Sequence, residues 1–196
     1  MRQKGCDLAM NTPNKLTVLR VVLIPIFMIF YLSGREWSVY AALIVFGLAA
    51  ATDRLDGKLA RKYNQITTFG KLMDPLADKI LIMSALICFV QKDIKYIGAG
   101  VVMVILAREL LVTGIRTLAM GENTVIAASP WGKAKTVSQF ILVISVMVFE
   151  AVEFHLPQFS GMFDAITLVI VVAVVLLTVY SGWDYVWKNR RLLTFK

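Results

Sequence analysis

The sequence predicts an all-α integral membrane protein with six transmembrane helices and a short polar, helical N-terminal segment. Its 196 residues are 58% apolar and only 17% charged, with a mean hydropathy of +0.71. A soluble domain of this size cannot bury so much apolar surface behind a polar exterior, so an apolar solvent is expected. Six apolar stretches approach the roughly 20 residues that a helix needs to cross about 30 Å of hydrocarbon.

These stretches define six helices and the links between them. The first link contains Ser33-Gly34-Arg35-Glu36 and the third contains Gln91-Lys92-Asp93, both of which interrupt a helix. We expect a single membrane-embedded domain over residues 1–196, with a cytosolic N-terminal segment at residues 1–15. The helices are expected at about 16–32, 38–61, 71–91, 96–119, 133–152 and 163–187.

The distribution of Lys and Arg predicts the orientation of the chain. If the N-terminus is cytosolic, all but three of the 21 basic residues fall on the cytosolic side, the exceptions being Arg35, Lys92 and Lys95. Because membrane proteins retain basic residues on the cytosolic side, both termini are expected there. The net charge of +8 therefore reflects topology, and we expect no nucleic-acid partner.

Four aspartates form the most informative pattern in the chain. Asp53 and Asp56 are three residues apart at the end of the second helix, and Asp74 and Asp78 are four apart at the start of the third. Residues at these spacings share one face of a helix, so both pairs can face one pocket between antiparallel neighbours. Four such carboxylates would repel each other without cations, and oxygen ligands suit Mg²⁺ or Mn²⁺. The pattern predicts two divalent ions held by these four residues.

The residues around the aspartates extend this pattern to a motif. Asp53-x2-Asp56-Gly57-x2-Ala60-Arg61-x8-Gly70-x3-Asp74-x3-Asp78 is similar, without a gap, to the signature of the CDP-alcohol phosphotransferase family. The resemblance implies an enzyme that joins a CDP-activated lipid to an alcohol. It also implies that Asp53, Asp56 and Asp74 bind metal, while Asp78 binds metal and acts as the general base. The residues implied in CDP binding are Asn14, Thr17, Asp53, Asp56, Gly57, Ala60, Arg61 and Gly70.

Three looser motifs are similar to bacterial members that use a phosphorylated acceptor. They are Pro13-Asn14-x2-Thr17-x2-Arg20, Ala107-Arg108-Glu109 with Arg116 two turns later, and Gly132-Lys133-x-Lys135-Thr136. The resemblance implies transfer of a phosphatidyl group from CDP-diacylglycerol to glycerol 3-phosphate, giving phosphatidylglycerophosphate and CMP. It further implies a homodimer in contact with lipid, in the cytoplasmic (inner) membrane of a bacterium. The acceptor phosphate would be bound by Arg108, Arg116, Lys133 and Lys135.

Simpler interpretations of single residues remain open from the sequence. Asp74 precedes Pro75 and could be a helix N-cap. Arg108 and Arg116 could pair with Glu109 or extend to lipid headgroups, and the remaining basic residues could only set topology: Arg20, Lys133 and Lys135.

Other functions are also compatible with parts of the pattern. The same chemistry could use an inositol phosphate, serine or phosphatidylglycerol as the acceptor. The carboxylates could instead belong to a divalent-cation transporter, although all four lie at one membrane face and a transport path needs sites near the middle of the membrane.

Overall fold

The protein is described by a computed structural model that covers residues 12–62, 68–121 and 129–190. Within these ranges, the side chains of residues 12–17, 53–62, 68–75, 78, 120 and 121 lie outside the description. The described residues form helices joined by short links and contain no strand, which confirms the predicted all-α class. The helices are α1 Thr12–Leu32, α2 Glu36–Lys62, α3 Thr68–Gln91, α4 Ala99–Gly121, α5 Pro130–Glu153 and α6 Ser160–Lys188, with a 3₁₀ turn at Pro157–Phe159.

Local signals explain where the helix ends differ from the predicted ones. Helix α5 begins at Pro130 rather than 133 because Ser129 caps it, accepting a hydrogen bond from the Gly132 backbone N–H at 3.1 Å. Helix α4 begins at Ala99 rather than 96. Asp93 and Tyr96 have φ values of +54° and +68°, which a right-handed helix excludes.

The interpretation of Asp74 as a helix N-cap is wrong. Helix α3 begins at Thr68, so Asp74 and Pro75 both lie inside the helix rather than at its start. Asp74 and Asp78 therefore occupy one face of a continuous helix, as the four-residue spacing predicts.

Contacts between Cα atoms divide the chain into two compact units, residues 1–81 and residues 82–196. In the first unit, α1 and α2 pack against each other across a turn in which Gly34 has a φ of +71°. Aromatic rings fill their interface. Phe27 lies 5.8 Å from Tyr31 and 5.5 Å from Phe46 between ring centroids. All three rings are fully buried, so this hairpin has an apolar core of its own.

In the second unit, α6 packs against both α4 and α5. Helices α5 and α6 form an antiparallel hairpin joined through the 3₁₀ turn. The Trp131 and Tyr180 rings lie 4.8 Å apart at one end, and the Phe149 and Phe163 rings 4.9 Å apart at the other. The buried stripe of α6 becomes polar toward its C-terminal end: Thr167, Val171, Val174, Thr178, Ser181 and Tyr185. This polar end positions the cationic residues described below.

Two helical segments of the described chain, Pro130–Glu153 and Pro157–Lys188, are long and apolar enough to cross a membrane. Shorter apolar segments occur at Val18–Leu32, Glu36–Thr52 and Lys79–Gln91. In the most apolar 18 residues of each long segment, only 33% and 28% of the residues are buried. Both segments therefore expose apolar side chains, such as Ile141 and Ile144 on α5 and Val169 and Leu176 on α6.

Candidate active site

All four residues predicted to bind the acceptor phosphate lie in the second unit. Arg108 and Arg116 are two turns apart on α4, and Lys133 and Lys135 occupy the first turns of α5. Their surroundings differ. Lys133 and Arg116 are exposed, Arg108 is largely covered, and Lys135 is buried with 1% exposure.

A buried carboxylate joins two of these cations. The Glu109 Oε1 accepts hydrogen bonds from the Lys135 Nζ and from the Arg108 Nη1, the latter at 3.3 Å. The ion pair between Arg108 and Glu109, which the sequence left open as an alternative, is therefore present, and the predicted role of Arg108 in binding the acceptor phosphate stays a prediction. Lys135 is not simply a topology-setting charge at the headgroups, because its ammonium is paired inside the helical unit. The cluster of Arg108, Glu109 and Lys135 carries a formal charge of +1.

The polar end of α6 supplies partners for both arginines. The Arg108 Nε donates to the Ser181 Oγ, and the Arg116 Nε donates to the Tyr185 hydroxyl oxygen, each at 3.2 Å. The Arg116 Cζ also lies 5.7 Å from the centre of the Tyr185 ring, within cation–π range. Ser181 and Tyr185 are four residues apart on one helical face, and the two arginines that contact them lie two turns apart on α4.

The residues predicted to bind metal and CDP lie on the first three helices. Both aspartate pairs lie within continuous helices, α2 and α3, but their side chains are outside the described part. The same holds for the predicted CDP-binding residues. Among the described side chains, no group of three or more His, Cys, Asp and Glu could hold a metal ion. The chemistry of the predicted donor set, four carboxylates on two helices, fits Mg²⁺ or Mn²⁺, and the site stays a prediction. The predicted residues outside the description are Asn14, Thr17, Asp53, Asp56, Gly57, Ala60, Arg61, Gly70, Asp74 and Asp78.

A comparison with known families decides the assignment. The model of the CDP-alcohol phosphatidyltransferase family matches residues 10–180. The chain belongs to this family. It is therefore a transferase, as the signature across α2 and α3 predicts.

Relatives of this family member are similar over nearly their whole length. A Bacillus subtilis protein named CDP-diacylglycerol–glycerol-3-phosphate 3-phosphatidyltransferase is 41% identical over 93% of this chain and 97% of that protein. Proteins with the same name from Escherichia coli K12 and Haemophilus influenzae are 32% and 31% identical, over 92% and 89% of this chain and 95% and 91% of those proteins.

Three residues of the structure are further candidates for a functional role, although they are not among the site residues predicted from the sequence. Ser181 and Tyr185 contact the arginines, and Arg20 on α1 is completely buried, so it is not simply a topology-setting surface charge. The sequence does carry a signal for Ser181 and Tyr185, because these two residues and Thr178 follow one another at helical spacing in a largely apolar segment. For Arg20, the signal is its place in the opening motif with Asn14 and Thr17.

Proposed function

We propose that the protein transfers the phosphatidyl group of CDP-diacylglycerol to glycerol 3-phosphate, giving phosphatidylglycerophosphate and CMP. Family membership and the names of relatives similar over nearly their whole length support the reaction. The observation that carries the choice of acceptor is the cluster of Arg108, Glu109 and Lys135, with Arg116 two turns away. Charged groups inside an apolar helical unit are costly and mark ligand sites, and the surplus charge here is positive.

The protein is proposed to be a multi-pass protein of the bacterial inner membrane, with six spanning helices and cytosolic termini. The outward-facing apolar side chains of α5 and α6 support a lipid environment. Trp131, Trp183 and Trp187 belong to the same end of this hairpin, where amphipathic rings suit a membrane interface. The rings of Trp183 and Trp187 are stacked 6.0 Å apart, and the Arg190 Cζ lies 4.7 Å from the Trp187 ring centre. This basic end is the one that the positive-inside rule assigns to the cytosol.

The carboxylates would hold two Mg²⁺ or Mn²⁺ ions through Asp53, Asp56, Asp74 and Asp78. Such ions, when bound, neutralise the charge of a diphosphate and of its leaving group. The small residues Gly57 and Ala60 leave room for the cytidine diphosphate, and Arg61 offers a guanidinium fork to a phosphate. The remaining residues proposed to line this part are Asn14, Thr17 and Gly70.

Asp78 is proposed as the general base. Its carboxylate takes the proton from the acceptor hydroxyl group, and the oxygen forms a bond to the phosphorus that carries diacylglycerol. The bond from that phosphorus to the oxygen of CMP breaks, and CMP leaves. A carboxylate suits this task because it can hold the proton while the new ester bond forms.

The acceptor phosphate is proposed to bind Arg108, Arg116, Lys133 and Lys135. Arg116 and Lys133 are exposed, and charge-assisted hydrogen bonds from such groups to phosphate are short and strong. Lys135 is paired with Glu109 and buried, so it contacts a phosphate only if its ammonium leaves that carboxylate. In the described arrangement it acts mainly through Glu109, which also contacts Arg108.

The test is CMP release by the purified protein from CDP-diacylglycerol, with Mg²⁺ and without it. Glycerol 3-phosphate is compared with inositol phosphate, serine and phosphatidylglycerol. Release with glycerol 3-phosphate alone, and only with metal, is the expected result. Release with another acceptor would keep the chemistry and change the acceptor. No release with any acceptor, combined with Mn²⁺ uptake into liposomes that carry the protein, would favour the transporter alternative.

The protein is further proposed to act as a homodimer. Sedimentation of the detergent-solubilised protein, corrected for bound detergent, is expected to give twice the 21.9 kDa chain mass. A single chain mass that persists when the protein is active would contradict the dimer alone.

A further inference from the structure

Arg108 is fixed at two of the three nitrogens of its guanidinium group. Its Nε donates to the Ser181 Oγ at 3.2 Å, and its Nη1 donates to the Glu109 Oε1 at 3.3 Å. Only 11% of its side chain is exposed. The group is therefore held by α6 at Nε and by a neighbouring residue of α4 at Nη1, and neither of these bonds uses Nη2.

Ser181 is oriented to accept this hydrogen bond. Its hydroxyl donates to the Thr178 backbone carbonyl oxygen at 3.1 Å, and the residue is completely buried. Because the hydroxyl proton is used in that bond, the oxygen presents its lone pairs to the Arg108 Nε. Ser181 thus acts as a fixed acceptor rather than as a freely rotating hydroxyl group.

Two glycines make room for the arginine. A Cβ atom on Gly182 would lie 3.1 Å from the Arg108 Cγ, which is closer than ordinary contact. A Cβ atom on Gly132 would lie 3.5 Å from the Arg108 Nη2, an ordinary contact that would cover this nitrogen. Gly182 therefore lets the stem of Arg108 pass along α6. Gly132 keeps Nη2 uncovered beside the first turn of α5.

We propose that Ser181, Glu109 and Gly182 position Arg108 for the acceptor phosphate, and that Gly132 keeps its Nη2 open to bind that phosphate. The proposal rests on the proposed function, in which Arg108 is an acceptor ligand. A guanidinium held in advance loses less conformational freedom when it binds a phosphate. The first turn of α5, next to Nη2, adds the positive end of a helix dipole.

The test is steady-state kinetics of the full-length protein in lipid–detergent micelles, with each substrate varied separately. Ser181→Ala is expected to raise the KM for glycerol 3-phosphate about tenfold, since a hydrogen bond to a charged group is lost. The kcat and the KM for CDP-diacylglycerol should stay within about twofold of wild type, because Ser181 does not contact the reacting atoms. Ser181→Thr keeps the hydroxyl and should restore the wild-type KM.

The glycines provide a matched comparison. Gly182→Ala displaces the stem of Arg108 and should raise the KM for glycerol 3-phosphate. Gly132→Ala should raise it as well, without lowering the thermal midpoint, because the added Cβ would lie 3.4 Å from the Ser129 Oγ and 3.5 Å from the Arg108 Nη2, both ordinary contacts. Gly114→Ala on α4 is the control, since no described atom lies within 4 Å of a Cβ atom there. It should leave the KM unchanged.

Two results would overturn the proposal. If Ser181→Ala lowers the thermal midpoint but leaves the KM unchanged, the bond to Arg108 only joins α4 to α6. If Gly114→Ala changes the KM as much as Gly182→Ala does, the effect is not local. Binding of inorganic phosphate, measured by calorimetry, tests the positioning without turnover. If Ser181→Ala binds phosphate more weakly than the wild type does, the positioning of Arg108 is supported. If the wild type releases no CMP, only the proposed function is refuted.

Discussion

The buried ion pair between Glu109 of α4 and Lys135 of α5 allows a quantitative prediction for Glu109→Gln. The Lys135 side chain is 2% exposed and the Glu109 side chain 11%, so both charges are largely removed from solvent. Removing one partner of such a pair leaves an uncompensated charge, which typically destabilises a protein by about 3–5 kcal/mol. Arg108 also loses the charge of its ion-pair partner, although an amide oxygen can still accept its hydrogen bond, and it keeps the bond to Ser181. We therefore expect Glu109→Gln to lower the free energy of unfolding by about 3–5 kcal/mol.

The double variant Glu109→Gln, Lys135→Met separates this charge effect from a general packing defect. Because methionine removes the buried ammonium and fills similar space, the double variant should recover most of the lost stability. Asp184→Asn is the control. It breaks the pair with Lys188, whose Nζ lies 2.7 Å from the Asp184 Oδ1 and whose side chain is 60% exposed, so solvent screens the pair and its contribution is about 1 kcal/mol or less.

Unfolding in mixed micelles of dodecyl maltoside and increasing SDS, followed by tryptophan fluorescence, measures these differences. The expected order is a large loss for Glu109→Gln, recovery in the double variant, and a small loss for Asp184→Asn. The reasoning would be refuted if Glu109→Gln were as mild as Asp184→Asn. It would also be refuted if Lys135→Met made the loss larger.

Three further predictions concern separate parts of the molecule. Asp78→Asn should abolish CMP release while CDP-diacylglycerol binding, measured by equilibrium dialysis in micelles, is retained; full activity would remove its role as base. Arg116→Ala should raise the KM for glycerol 3-phosphate by about tenfold, and the KM for the lipid less, because a charge-assisted contact to the acceptor is lost; equal effects on both would favour a structural role for its contact with Tyr185. The hydrogen bond to Asp164, and the charge of that carboxylate, raise the pKa of Lys95 above 10.5. Because the pKa of Lys95 is higher in the folded protein than in the unfolded chain, its interaction with Asp164 stabilises the fold fully at pH values below the pKa in the unfolded chain. The thermal midpoints of wild type and Lys95→Gln should therefore differ by a constant amount from about pH 7 to 9 and converge only at higher pH, whereas convergence near neutral pH would contradict the assignment.

Much of the fold follows from the hydropathy pattern. Six apolar stretches predict six helices, and the observed ends lie close to the expected ones. The differences arise at residues whose local chemistry is specific. Ser129 and Pro130 extend α5 at its start by capping it, and the positive φ of Tyr96 delays α4. Both effects depend on one or two residues, and their influence is lost when hydropathy is averaged over the roughly 20 residues of a spanning helix.

The candidate site was less predictable because it depends on how helices rotate against each other. Basic residues in apolar helices single out Arg108 and Arg116, but their partners Ser181 and Tyr185 lie about 70 residues further along the chain. Lys133 and Lys135 look equivalent in the sequence. At about 100° per residue they point in different directions, so Lys133 is exposed and Lys135 is buried on the face of Gln139 and Leu142.

The bonds from α4 to α6 have a consequence for how the protein is synthesised. In the proposed membrane, Arg108 and Arg116 leave the ribosome before the residues of α6 that accept their hydrogen bonds. Until then, Arg108, which lies near the middle of α4, adds about 3 kcal/mol to the free energy of inserting this helix on the scale of translocon experiments, and Arg116, nearer the end of the helix, adds less. We therefore expect α4 to insert stably into the bilayer only after α6 has been synthesised, so that the second half of the chain is integrated as one unit. Glycosylation mapping of nascent chains that end before Ser160 tests this sequence of events, and stable insertion of α4 in those chains would contradict it.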